Sequence, residues 1–154
     1  MRRLAGALIG VWLILSQPAL VLGSADSPLN YGAKWWIPNS GPYASVCVQS
    51  GIHDVAVNYG QIVIKNWVSG SCSGSNRNVP SGFLGTSLVG YGPSYCGATD
   101  TYYSNVSTSA WQLWASLCPN PSGLQSFHTL AYGYYWTGAS YQFSGGWTSP
   151  SQNY

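Results

Sequence analysis

The 154-residue chain carries 3 acidic side chains and 5 Lys and Arg, against 8 Trp, 12 Tyr and 3 Phe. Arg2 and Arg3 belong to a leader, so in the remainder Lys34, Lys65 and Arg77 balance Asp26, Asp54 and Asp100, with no Glu and no net charge. So few cations exclude nucleic-acid binding, which needs a basic stripe to neutralise phosphates.

Arg2-Arg3, a mostly apolar run over residues 4–21, and the small residues Gly23-Ser24-Ala25 ahead of Asp26 read as a secretory signal peptide, residues 1–25. Gln17 and Pro18 interrupt the run and argue against a membrane span. The expectation is a secreted, extracellular protein with no transmembrane anchor after leader cleavage, and residues 26–154 forming a single all-β domain around one core.

After the Trp35-Trp36 pair, residues 44–49 alternate around Val46 and Val48, a strand signal. Residues 55–68 carry Val55, Val57, Ile62 and Ile64, and Asn58-Tyr59-Gly60 reads as a turn dividing this stretch into two short strands. Ser, Gly and Asn from 70 to 82 make a loop, and residues 83–91 return as an irregular strand broken by Gly85 and Gly90. Residues 102–117 fit a helical stripe through Trp111, Trp114, Ala115 and Cys118, and also strand alternation through Trp111, Leu113, Ala115 and Leu117. Tyr102-Tyr103, Thr101 and Thr108 favour the strand.

Asn120-Pro121-Ser122-Gly123 ends that element. Residues 127–136 and 141–147 read as two further strands joined by Thr137-Gly138-Ala139-Ser140, and the polar tail is expected to lie over the surface. Many short strands with frequent Gly and Pro predict an all-β fold, a compact antiparallel β-sandwich or small barrel. A membrane β-barrel is disfavoured by the cysteines and by the weakness of any run of strands about ten residues long.

The cysteines Cys47, Cys72, Cys96 and Cys118 form an even set in an exported chain, which points to two disulfides. Sequence does not select among the three possible pairings. Cys47 with Cys72 and Cys96 with Cys118 is preferred, because each bridge would close one local group of strands. No short Cys spacing suggests zinc, and only His53 and His128 could complete a ligand set, so no metal is expected. No phosphate loop or dinucleotide fingerprint implies a cofactor.

With Asp26 expected in a disordered tail, a carboxylate pair would have to come from Asp54 and Asp100. His53 beside Asp54 cannot form a dyad on one strand, because adjacent residues point to opposite faces, and both are expected at a turn following Ser50-Gly51. No GxSxG elbow occurs in the mature chain, and no catalytic residue is assigned. Asn105-Val106-Ser107 matches the N-glycosylation pattern.

The remaining signal is aromatic clustering. Trp35, Trp36, Tyr134, Tyr135 and Trp136 are the candidate ligand-binding residues, with one member of each adjacent pair expected to face the core and the other solvent. Exposed rings beside Ser, Asn and Gln suit a secreted, non-enzymatic module that holds a glycan or another extracellular surface component. The alternative is a self-assembling structural subunit of a matrix, coat or filament, whose partners are copies of itself, since zero net charge removes mutual repulsion. A secreted hydrolase ranks third.

Overall fold

The computed structural model describes residues 24–53, 57–118 and 125–153. Nearly all of the segment read as a leader, Asp54 and the 120–123 stretch read as ending a strand lie outside them. Eleven strands occur among the described residues: β1 (Ala25–Asp26), β2 (Asn30–Trp35), β3 (Ala44–His53), β4 (Val57–Asn66), β5 (Leu84–Tyr91), β6 (Tyr95–Ala98), β7 (Tyr102–Tyr103), β8 (Ala110–Ala115), β9 (Ser126–Trp136), β10 (Tyr141–Thr148) and β11 (Gln152–Asn153). They form two antiparallel sheets packed face to face, a β-sandwich. In the first sheet β1 and β2 share one edge of β3, followed by β4 and β8. In the second, β10 and β11 share one edge of β9, followed by β5, whose far edge is shared by β6 and β7.

Alternation explains which side of each sheet is buried. Ala44, Val46, Val48, Ile62 and Ile64 of the first sheet pack against Leu84, Leu88 and Ala131 of the second, with Trp35, Ile37 and Val79 in the same cluster. Trp111, Leu113, Ala115 and Leu117 lean on it too, the strand alternation read from the sequence. A smaller cluster of Ile52, Phe127 and Cys118 continues the core. No helix of the described residues is long and apolar enough to cross a membrane.

Both disulfides pair as preferred, Cys47 with Cys72 and Cys96 with Cys118, at Cα separations of 6.1 and 4.8 Å. The stated reason holds for Cys47–Cys72, whose loop contains β4 paired to β3, but not for Cys96–Cys118, which links strands of different sheets. Cys47–Cys72 draws the segment after β4 over the outer side of β3, and Cys96–Cys118 joins β6 of the second sheet to the segment leaving β8 of the first.

Four local readings are corrected by pairing. Asn58-Tyr59-Gly60 lies inside β4, which pairs with β3 without a break from Ala44↔Asn66 to His53↔Val57. The two strands thus meet with His53 opposite Val57. Gly60 serves packing rather than turning, since a β-carbon there would lie 2.5 Å from Leu88 and 2.7 Å from Ala131 of the opposite sheet. Ser50 and Gly51 lie within β3, ahead of the point where β3 and β4 meet, in agreement with a turn that follows them. Asp26 is held in β1 opposite Gly51 instead of in a loose tail. Residues 102–117 form two strands, β7 and β8, which belong to different sheets and are tied by a Trp111 Nε1–H bond to the Tyr102 carbonyl at 3.0 Å. The tail, too, is more than a surface cover: β11 pairs with β9, and Ser149 is buried with its hydroxyl accepting from the Thr129 N–H.

Asn58 carries a fully buried amide side chain. Its side-chain amide donates to Thr129 Oγ1 at 2.8 Å across the sandwich, and its Oδ1 accepts from the Leu117 N–H at 3.2 Å. Asn58→Ala strands a buried hydroxyl and a backbone donor, so it is expected to lower stability by about 1 to 3 kcal/mol in urea unfolding. A loss below about 0.5 kcal/mol would show that these bonds are replaced by water.

Candidate functional site

The outer side of the second sheet is covered with rings. Because side chains alternate, Tyr132, Tyr134 and Trp136 all leave β9 on the side away from the core, while Ala131, Gly133 and Tyr135 face inward. Antiparallel pairing sets Tyr141 beside Trp136 and Phe143 beside Tyr134. Ring centroids lie 5.1 Å apart for Trp136–Tyr141, 5.8 Å for Tyr134–Phe143, 5.9 Å for Tyr132–Phe143 and 4.1 Å for Tyr103–Tyr141. Phe143 is 56% exposed.

Two glycines let rings lie against the backbone. A β-carbon on Gly85 would sit 2.7 Å from the Tyr103 ring, and one on Gly146 2.7 Å from the Tyr132 ring. Each ring thus presents its free side outward. The Tyr141 hydroxyl donates to the Gly82 carbonyl, which anchors the end of the strip. Further along the same face Tyr91 and His128 stack at 5.0 Å. Strands β5, β6, β7, β9 and β10 contain no Asp, Glu, Lys or Arg.

The five residues singled out from the sequence do not form one patch. Tyr134 and Trp136 lie on this ring face. Trp35 is 2% exposed and packs in the core against Tyr135, with centroids 5.2 Å apart. Trp36 is 54% exposed and meets Tyr43 at 5.1 Å, at the end of β2 in the first sheet. Tyr103, Tyr141 and Phe143 were not singled out, although Tyr141-Gln142-Phe143 repeats the alternation of Tyr132-Gly133-Tyr134 and was readable in that form.

On the first sheet His53 finds a carboxylate, but a different one from its sequence neighbour. Its Nε2 lies 2.7 Å from Asp26 Oδ1. His53 also packs edge-on to Tyr59 at 5.3 Å and to Trp114 at 4.9 Å. No Ser, Thr or Cys side chain hydrogen-bonds His53 among the described residues, and these contain no group of three metal-ligating side chains. Asp100 and Asn105 are exposed.

Burial pushes the Tyr59 phenol from 10.0 up to about 12, the Asp26 carboxylate adds to the rise, and a hydrogen bond from Gln112 opposes it. Tyr135 and Tyr141 are raised in the same direction, mainly by burial. The unfolded chain loses the Tyr59 proton first as pH climbs, so its contribution is complete below about pH 10 and is lost toward about pH 12, and Tyr135 and Tyr141 act in the same sense. Alkaline unfolding is therefore expected within that window. Phenolate absorbance that rises smoothly, with no cooperative loss of circular dichroism before about pH 12, would contradict it.

No known protein family, curated protein or solved structure matches this chain.

Proposed function

We propose that the protein is exported and holds a neutral polysaccharide, at a cell surface or in the surrounding matrix, through the ring face of the second sheet. The observation that carries this reading is the alternation of Tyr132, Tyr134 and Trp136 on the solvent side of β9, beside Tyr141 and Phe143, on strands without a charged side chain. Flat rings bury the C–H faces of sugars, at about 25 cal/mol per Å² of apolar surface removed from water. Tyrosine hydroxyls at the rim add hydrogen bonds. A charged ligand would meet no countercharge there. The leader sequence supports export, and two disulfides suit an oxidising compartment.

Retention on cellulose, chitin and mannan matrices tests the reading. Tyr134→Ala and Phe143→Ala are each expected to weaken retention on at least one matrix by tenfold or more, about 1.4 kcal/mol, with melting temperatures close to the parent. Retention that none of these changes alters would overturn it. Concentration-dependent assembly abolished by the same substitutions would replace it with the structural-subunit reading.

A further inference from the structure

The outer side of the first sheet carries a different surface, built from amides and rings. Register places Gln49, Gln61 and Gln112 side by side across β3, β4 and β8. Their amides run in one direction: Gln112 Nε2 donates to Gln61 Oε1 at 3.2 Å, Gln61 Nε2 to Gln49 Oε1 at 2.5 Å, and Gln49 Nε2 to the Ser27 carbonyl at 2.8 Å. An amide nitrogen has two N–H groups and an amide oxygen two lone pairs. The chain of bonds uses one N–H each on Gln49 and Gln61, and Gln112 Oε1 has no partner among the described residues. The ladder therefore offers both donors and an acceptor to a ligand lying across it.

Rings flank the ladder on both sides. Two residues along the strands, Tyr59 pairs with Trp114, their centroids 4.3 Å apart, and Trp114 is 50% exposed. In the other direction Tyr31 pairs with Cys47, and its ring meets Trp67 at 5.9 Å on the segment that leads to Cys72. Tyr59 and Val63, the latter level with Cys47, are four residues apart on β4, so the ring groups stand roughly 13 Å apart along the strand. This spacing suits a short oligosaccharide rather than a flat polymer surface.

The charged groups of this face are already engaged. Asp26 pairs with His53, and the Asp26 carboxylate occupies the place a side chain on Gly51 would take. Lys34 Nζ lies 3.9 Å above the Tyr43 ring, and Lys65 donates to Asn76 at 2.5 Å. What faces a ligand is thus neutral and directional: amide groups between apolar rings, the combination that matches hydroxyls and C–H faces in one molecule.

We propose that the glutamine ladder and its flanking rings form a second, separate binding site, for a short neutral oligosaccharide, on the opposite side of the sandwich from the ring face of β9. A module with both sites holds two glycan segments at once and bridges them.

Titrations of cello-, chito-, xylo- and manno-oligosaccharides, followed by NMR of the glutamine side-chain amides and tryptophan indoles, test it. At least one sugar is expected to shift the Gln61 and Gln112 amides and the Trp114 indole saturably. Trp114→Ala and Gln112→Ala, both at exposed positions on the edge strand, are each expected to weaken that binding by fivefold or more. Titrations in which none of the four sugars moves these resonances at millimolar concentration would overturn the proposal, as would a folded Trp114→Ala variant with parental affinity. Shifts confined to the Trp136 indole would place the oligosaccharide on the second sheet, overturning this proposal while leaving the polysaccharide reading intact.

Discussion

Reduction of both disulfides is expected to unfold the domain at about 37 °C. The bridges close segments of 25 and 22 residues, each worth on the order of 3 kcal/mol through the entropy removed from the unfolded chain. Their joint loss, about 6 kcal/mol, is comparable with the entire net stability of a typical domain, about 5 to 15 kcal/mol. The architecture adds a second reason. Cys96–Cys118 joins β6 to the segment leaving β8, so its loss frees an edge of each sheet together. Melting followed by circular dichroism with and without a thiol-free reductant measures the effect, and a reduced protein that melts within a few degrees of the oxidised one would refute it. Replacing Cys47 and Cys72 together by Ala should account for about half the loss.

Trp35→Ala is expected to cost about 3 to 5 kcal/mol, the range for truncating a large core aromatic, whereas Trp36→Ala should cost no more than about 1 kcal/mol. The two residues are neighbours in sequence, Trp35 the last of β2 with its ring turned to the core and Trp36 directly after the strand with its ring exposed. Trp35 fills the space between Phe83 and Tyr135, at 6.2 and 5.2 Å between centroids. Trp36 touches Tyr43 at the rim. The Trp35 indole N–H is buried with no hydrogen-bond partner among the described residues, so Trp35→Phe removes that donor along with some volume and should cost less than half as much as Trp35→Ala. Urea unfolding of the three variants decides the matter. Equal losses for Trp35→Ala and Trp36→Ala would mean that both rings are core.

Most strands were legible because their side-chain period is local. Val46 and Val48, Trp111 and Leu113, and the alternation of β9 each mark a half-buried strand within a few residues. The failures share one cause. Asn58 and Gly60 are turn formers by intrinsic preference, yet both are buried in β4 with Tyr59 between them, because Gly60 admits Leu88 and Ala131 of the facing sheet and Asn58 bonds across to Thr129. Gly51, within β3, likewise makes room for a distant side chain, the Asp26 carboxylate. In these places a tertiary neighbour overrides local propensity.

Composition and alternation by themselves determined an all-β chain with two cross-links, no net charge over residues 26–154, and more rings than one core side can hold. Alternation also determined that Trp35 and Trp36 point to opposite sides, as do Tyr134 and Tyr135. Only the tertiary structure decided which rings share a surface, and that Gln49, Gln61 and Gln112 lie in one row with His53 beside Asp26. The physical reason is that a local pattern sets which way a side chain points, whereas its neighbours across a sheet depend on the register of strands far apart in the chain, which is chosen by the packing of the whole sandwich.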